Sequence, residues 1–199
     1  TKEYGIKLKG DPLIQNMLII NSEENRSIQE SINKMNSFVR VTENKLLKTQ
    51  ITSTSEIIIV FINRVIYTPI GPQKKYDNYS ISRIINIEGF NYEFYAMISH
   101  SGGDGKDGHY ISYIKHQKDN DWSVCNDSEI KTIDEKTCMK ICHGIKDENI
   151  AGVFAFYRKV HWSKILQQYI KINGKKRSNR VAPIKSIIKP LIRKMNLND

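Results

Sequence analysis

Gly108-His109-Tyr110-Ile111-Ser112-Tyr113 and, after a short polar gap, Trp122-Ser123-Val124-Cys125-Asn126-Asp127 decide how this chain is read. Residues 109–115 mix apolar and polar side chains and are rich in β-branched and aromatic types, the composition of a half-buried strand. Residues 116–120, His-Gln-Lys-Asp-Asn, are turn-like, so 121–127 is expected to return as the partner strand. With the hairpin centred near residue 118, opposed residue numbers sum to about 236. His109 then faces Asp127, with Asn126 one step away, and a one-residue slip exchanges the two. The glycine-rich approach from Ser101 to Gly108 delivers the histidine to the start of the strand. An imidazole held by an amide or a carboxylate has its tautomer set and one nitrogen free as a base. That is two thirds of a nucleophilic hydrolase triad. Here Nδ1–H is expected to donate to Asn126 or Asp127, leaving Nε2 as the base. An isolated strand-end histidine is better read as a hairpin cap. The glycine loop, the spacing and the paired amide and carboxylate argue against that reading here.

Working outward, Tyr92 to His100, the glycine loop, Gly108-His109-Tyr110, Trp122 to Asp127 and Ala155-Phe156-Tyr157-Arg158 together resemble the histidine box of ubiquitin-specific proteases. Glu56-Ile57-Ile58-Ile59-Val60-Phe61-Ile62-Asn63-Arg64 is similar to the family's preceding core strand, and Ser27-Ile28-Gln29-Glu30-Ser31 to the helix start after its substrate-gripping region. The segments keep family order over roughly residues 27–158, which chance motifs rarely do. The resemblance implies a papain-like cysteine isopeptidase fold. The expected class is α+β with an antiparallel palm sheet. The fingers are reduced or absent, since only about residues 20–55 are available for them.

The missing third of the triad is sought in the family's N-terminal cysteine box. Gly5, Gly10 and Asn16 fall at that box's spacing. In this frame the nucleophile position is Leu13 and the oxyanion-stabilising position is Leu8. Leu13 has no thiolate to attack a carbonyl. Leu8 offers no donor to a tetrahedral oxyanion, a loss that commonly costs about two to three orders of magnitude in rate. The plainer reading of residues 5–20 is a loop followed by a short apolar helix beginning over 11–20.

Three cysteines remain: Cys125, Cys138 and Cys142. Alternation sends Cys125 to the sheet face opposite Asn126. Cys138, Cys142 and His143 form a C-x₃-C-H cluster without an evident fourth ligand, so no metal and no cofactor is expected. Three cysteines without framework spacing suit a reducing compartment, hence an intracellular location, cytoplasmic or nuclear. No apolar run is long enough to span a bilayer.

Charge divides the chain. Ten of the 31 basic residues, against one of the 21 acidic ones, lie beyond residue 160, so the tail carries +9 of the net +10. The expected organisation is a protease-like domain at 1–159 and a basic helical extension at 160–199. In the extension, Trp162 to Ile172 reads as one helix, Asn173-Gly174 as its stop, and Pro183 opens a second amphipathic helix kinked at Pro190. Elsewhere a helix is expected at 27–38, capped by Ser27 with Glu30 in capping-box spacing. Strands are expected at 56–63, 79–87, 92–99, 109–115, 121–126 and 151–158, a loop at Thr68–Tyr76 and a helix or irregular segment at 133–143.

Three functional readings follow. In the first, the domain has lost catalysis and is a binding or structural module in a larger assembly of protein partners, ubiquitin or a ubiquitin-like protein among them. In the second, it is an active deubiquitinase whose nucleophile comes from another segment, with His109 as base, Asn126 orienting it and Asp127 assisting. In the third, residues 160–199 bind RNA or another acidic surface.

Overall fold

The structure, a computed structural model, describes residues 17–22, 26–42, 45–48, 51, 53–76, 78–102, 108–116 and 121–161. The chain divides into two units, Thr1–Val160 and His161–Asp199. Leu8, Leu13 and the helices expected beyond residue 162 lie outside the described residues.

The elements in order are β1 (Leu18–Asn21), α1 (Ile28–Met35), β2 (Phe38–Thr42), β3 (Lys45–Lys48), β4 (Ile57–Asn63), β5 (Val65–Thr68), β6 (Gly71–Lys74), β7 (Ile84–Ile87), β8 (Phe90–Ser101), β9 (His109–Lys115), β10 (Trp122–Asn126), β11 (Glu129–Ile133), α2 (Glu135–His143) and β12 (Ile150–Lys159). One sheet runs β1-β4-β12-β8-β9-β10-β11, with β7 also on β8. Its ladders are antiparallel except β1–β4, which is parallel. The architecture is the expected α+β palm.

The core lies on one sheet face. β4 buries Ile58, Val60 and Ile62 in alternation, because successive side chains of a strand point to opposite faces. Trp122, Tyr113, Phe94 and Tyr157 are buried among them, with Phe94 5.2 Å from Trp122 and 5.5 Å from Tyr157, centroid to centroid. Each large apolar side chain so covered contributes about 1.5–3 kcal/mol. Both helices start on a side-chain cap. Ser27 accepts from the Glu30 N–H, while the Glu30 carboxylate accepts from Arg26 N at 2.9 Å. Asp134 accepts from Thr137 N at 2.9 Å.

Several expectations are corrected. The apolar run expected to open a helix over 11–20 contains a strand instead. Leu18–Asn21 pairs with Val60–Asn63, and Ile20 is buried in the core. A short apolar run has no period that separates strand from buried helix. The helix expected at 27–38 stops at Met35, and Phe38 enters the two-stranded ladder β2–β3. That small hairpin and α1 occupy the stretch where fingers would be. The loop expected at 68–76 holds a hairpin: β5 and β6 pair from Val65↔Lys74 to Thr68↔Gly71. Its turn needs Gly71, whose φ of 113° disfavours other residues. The strand expected at 79–87 shortens to Ile84–Ile87, because Tyr79 and Ile81 fill the core from irregular backbone.

The Asn63-Arg64 end of β4 is a structural corner. Asn63 Oδ1 accepts from Val65 N at 3.1 Å, and its Nδ2 donates to Asn21 Oδ1 at 3.0 Å. Arg64 is buried, 2% exposed, and donates to the carbonyls of Gly152 at 3.2 Å, Cys142 at 3.4 Å and His143 at 3.1 Å. It thereby satisfies carbonyls at the C-terminal end of α2 with a cation, which the helix dipole favours.

Candidate active site

His109 is the first residue of β9 and Asn126 the last of β10. The strands between them pair Trp122↔Lys115 through Cys125↔Ser112, one residue out of step with the expected register. Continuing that register sets Asn126 beside Ile111, two residues from His109 and therefore on the same sheet face. The slip decides the partner. His109 Nε2 is hydrogen-bonded to Asn126 Oδ1, while Asp127 Oδ2 stands 3.9 Å from the same nitrogen. Asp127 occupies the β10–β11 turn in a left-handed conformation, φ 51°, with its carboxylate largely in solvent. The direct opposition of His109 and Asp127 is thus corrected.

The ring is also reversed. An amide oxygen accepts only, so the Asn126 contact assigns the proton to Nε2. Nδ1, the nitrogen expected to be tied down, carries the free lone pair. Side-chain exposure of 46% leaves the imidazole open to a reacting group.

Gly108 is required for steric reasons. A Cβ there would sit 2.1 Å from His100 Nε2 and 2.6 Å from the Ser101 carbonyl oxygen. The chain can enter β9 this close to β8 only without a side chain. On the other side of the glycine loop, Tyr76 OH donates to the Gly102 carbonyl, and Gly102 N donates to Asn149 O at 3.1 Å. His100 is held in turn by Lys74, whose Nζ contacts its Nδ1 and donates to its carbonyl at 3.0 Å. The Tyr110 ring lies 4.7 Å from that of His100. Sequence reasoning missed this cluster. Its signals were the glycine immediately before the histidine and a lysine and tyrosine two residues apart.

None of the three thiols engages the free nitrogen of His109, whose partners among the described residues are Asn126 and Asp127. Cys125 is half-buried one residue before Asn126, on the opposite face. Cys138 and Cys142 are buried in α2 with sulfurs 3.8 Å apart, and burial pushes the Cys142 thiol well up. His143 is held below its ordinary value, first by desolvation. Cys138 and Cys142 are therefore core residues, and among the described residues no three His, Cys, Asp or Glu side chains converge on a metal position.

The fold and this corner define a palm of papain-like type carrying a histidine–asparagine pair. The family model for ubiquitin carboxyl-terminal hydrolase matches residues 10–170. The chain belongs to the ubiquitin carboxyl-terminal hydrolase family, as a ubiquitin-specific-protease-type domain. Ubiquitin carboxyl-terminal hydrolase 14 of Caenorhabditis elegans is 30% identical over 59 residues, 30% of this chain and 12% of that protein. Ubiquitin carboxyl-terminal hydrolase 9 of Arabidopsis thaliana is 35% identical over 75 residues, 38% of this chain and 7% of that protein. Among solved structures, the yeast SAGA DUB module matches with a TM-score of 0.60 at 18% identity, covering 73% of this chain and 34% of the other. The SAGA Ubp8/Sgf11/Sus1/Sgf73 DUB module bound to ubiquitin aldehyde matches with a TM-score of 0.62 at 14% identity, covering 73% and 36%. The chain thus spans about a tenth of these curated relatives and about a third of the solved chains. Among the described residues no helix is long and apolar enough to cross a membrane.

Proposed function

We propose that this domain keeps the base-side half of a deubiquitinase active site but not the nucleophile, and works as a binding or structural module for ubiquitin or a ubiquitin-like protein within a larger assembly. The reading rests on the spacing of Gly5, Gly10 and Asn16, which puts Leu13 at the nucleophile position and Leu8 at the oxyanion position. Two further facts support it. The free nitrogen of His109 meets no thiol among the described residues. The solved relatives sit in a multiprotein module, one of them holding ubiquitin aldehyde.

In a cysteine protease of this geometry, His109 Nδ1 takes the thiol proton and later gives it to the leaving amine. Asn126 holds the Nε2–H and so fixes the tautomer. Leu13 offers no proton to take. The test is ubiquitin carrying a fluorogenic C-terminal leaving group. Release should not exceed the uncatalysed rate, and release that iodoacetamide abolishes overturns the proposal.

The intact His109–Asn126 bond favours a second reading, in which another segment or chain supplies the cysteine. His109→Ala should then abolish turnover by the assembly; unchanged turnover excludes it. The tail is a separate matter. Its +9 charge supports binding to RNA or acidic protein surfaces in the cytoplasm or nucleus. Such binding should weaken steeply with salt and vanish when residues 160–199 are deleted.

A further inference from the structure

The Lys74–His100 pair takes no part in the site above, yet it has the geometry of a nucleophile and its base. Lys74 ends β6 and is half-buried. Its ammonium nitrogen meets His100 Nδ1, the His100 carbonyl at 3.0 Å and the Tyr76 ring at 4.8 Å from the centroid. A half-buried ammonium ordinarily takes a carboxylate partner. Among the described residues none accepts from Lys74. The charge that acts on it is instead the Arg64 guanidinium, which repels it. The imidazole nitrogen and the carbonyl each accept one N–H, and a neutral amine serves both while keeping its lone pair. Burial first, and Arg64 second, bring the amine down to about 8. His100 is likewise held below its ordinary value by burial and by Lys74, which favours the neutral ring; with Lys74 as the donor, Nδ1 is its accepting nitrogen and can receive a proton.

We propose that Lys74 is a modification site, a nucleophilic amine that takes acyl groups from small activated carboxylic acids such as acyl thioesters, with His100 as proton acceptor. In the reaction the Lys74 nitrogen forms a bond to the acyl carbon and the carbon–sulfur bond breaks. The proton lost by nitrogen passes to His100 Nδ1 and then to the departing thiolate. The products are an Nε-acyl amide and a free thiol, with no change of oxidation state. This inference goes beyond the proposed function and does not depend on it.

The test is competitive acetylation of the full chain with S-acetyl-N-acetylcysteamine between pH 6.5 and 10, read residue by residue by mass spectrometry. At pH 7.5 Lys74 should acetylate about tenfold faster than the exposed Lys136 and Lys146, with a half-rise near 8. His100→Asn keeps an acceptor oxygen near the Nδ1 position but removes the base, and should slow Lys74 several-fold. Acetylation of Lys74 no faster than Lys146, or a half-rise above 10, overturns the assignment from the unmodified chain alone. An unchanged rate in the folded His100→Asn variant overturns the role of His100.

Discussion

Two corners of the sheet are built on an asparagine and a basic side chain, and they spend them differently. At Asn63-Arg64 the amide donates to a neighbouring amide and the guanidinium to backbone carbonyls, buried against the end of α2. At His109–Asn126 the amide holds one ring nitrogen while the other meets no partner among the described residues, and the ring is half in solvent. Residue types alone do not distinguish the two. What does is whether the polar groups are consumed by the fold or left facing outward. The first corner carries stability; in the function proposed above, the second is where chemistry or recognition would sit.

The largest expected effect breaks the first corner. Arg64→Met strands carbonyls of Gly152, Cys142 and His143 in a buried site and should cost about 3 kcal/mol or more in denaturant unfolding. A loss under about 1 kcal/mol would show that the guanidinium is dispensable there. Gly108→Ala comes next. A methyl group 2.1 Å from the His100 ring forces β9 away from β8, at about 2–3 kcal/mol, and should displace the His109 resonances as well.

Acid should act on His100 and His143. His100 and His143 are depressed in the folded state, so the unfolded chain binds more protons below about 6.5. Their contribution is present above that value and is lost as pH falls through it. The thermal midpoint should therefore drop between pH 7 and 5, and drop less in His100→Asn; a midpoint that rises on acidification contradicts the assignment. The smallest effect on stability sharpens the second corner. Asn126→Ala should cost only about 0.5 kcal/mol, because the pair is solvent-exposed. Yet it should release the Nε2–H tautomer of His109 to a mixture visible in ¹⁵N shifts. A large loss of stability with an unchanged tautomer would make this corner structural too.

Much of this was legible in the sequence. A β-branched and aromatic-rich run marked β9, its hairpin return marked β10, a continuous apolar run marked β4, and the Ser27 capping box marked the start of α1. Pairing of His109 with an Asn or Asp followed from hairpin arithmetic. The choice between Asn126 and Asp127 did not, because it turns on a single residue of register that only the loop conformation sets. Nor could the sequence show which ring nitrogen is free, since that depends on the direction from which the strand end approaches. Lys74 and His100 are 26 residues apart and meet only because β6 and β8 end side by side. The strand at Leu18–Asn21 was hidden because four residues have no readable period.

The central claim is that the base at His109 has no thiol to serve. Incubation of the unmodified chain with ubiquitin-propargylamide, followed by intact mass, tests it most directly. The account predicts an unchanged mass for the native chain and a one-ubiquitin adduct only when Leu8→Asn and Leu13→Cys are introduced together. An adduct of the native chain on Cys125, Cys138 or Cys142 would contradict it.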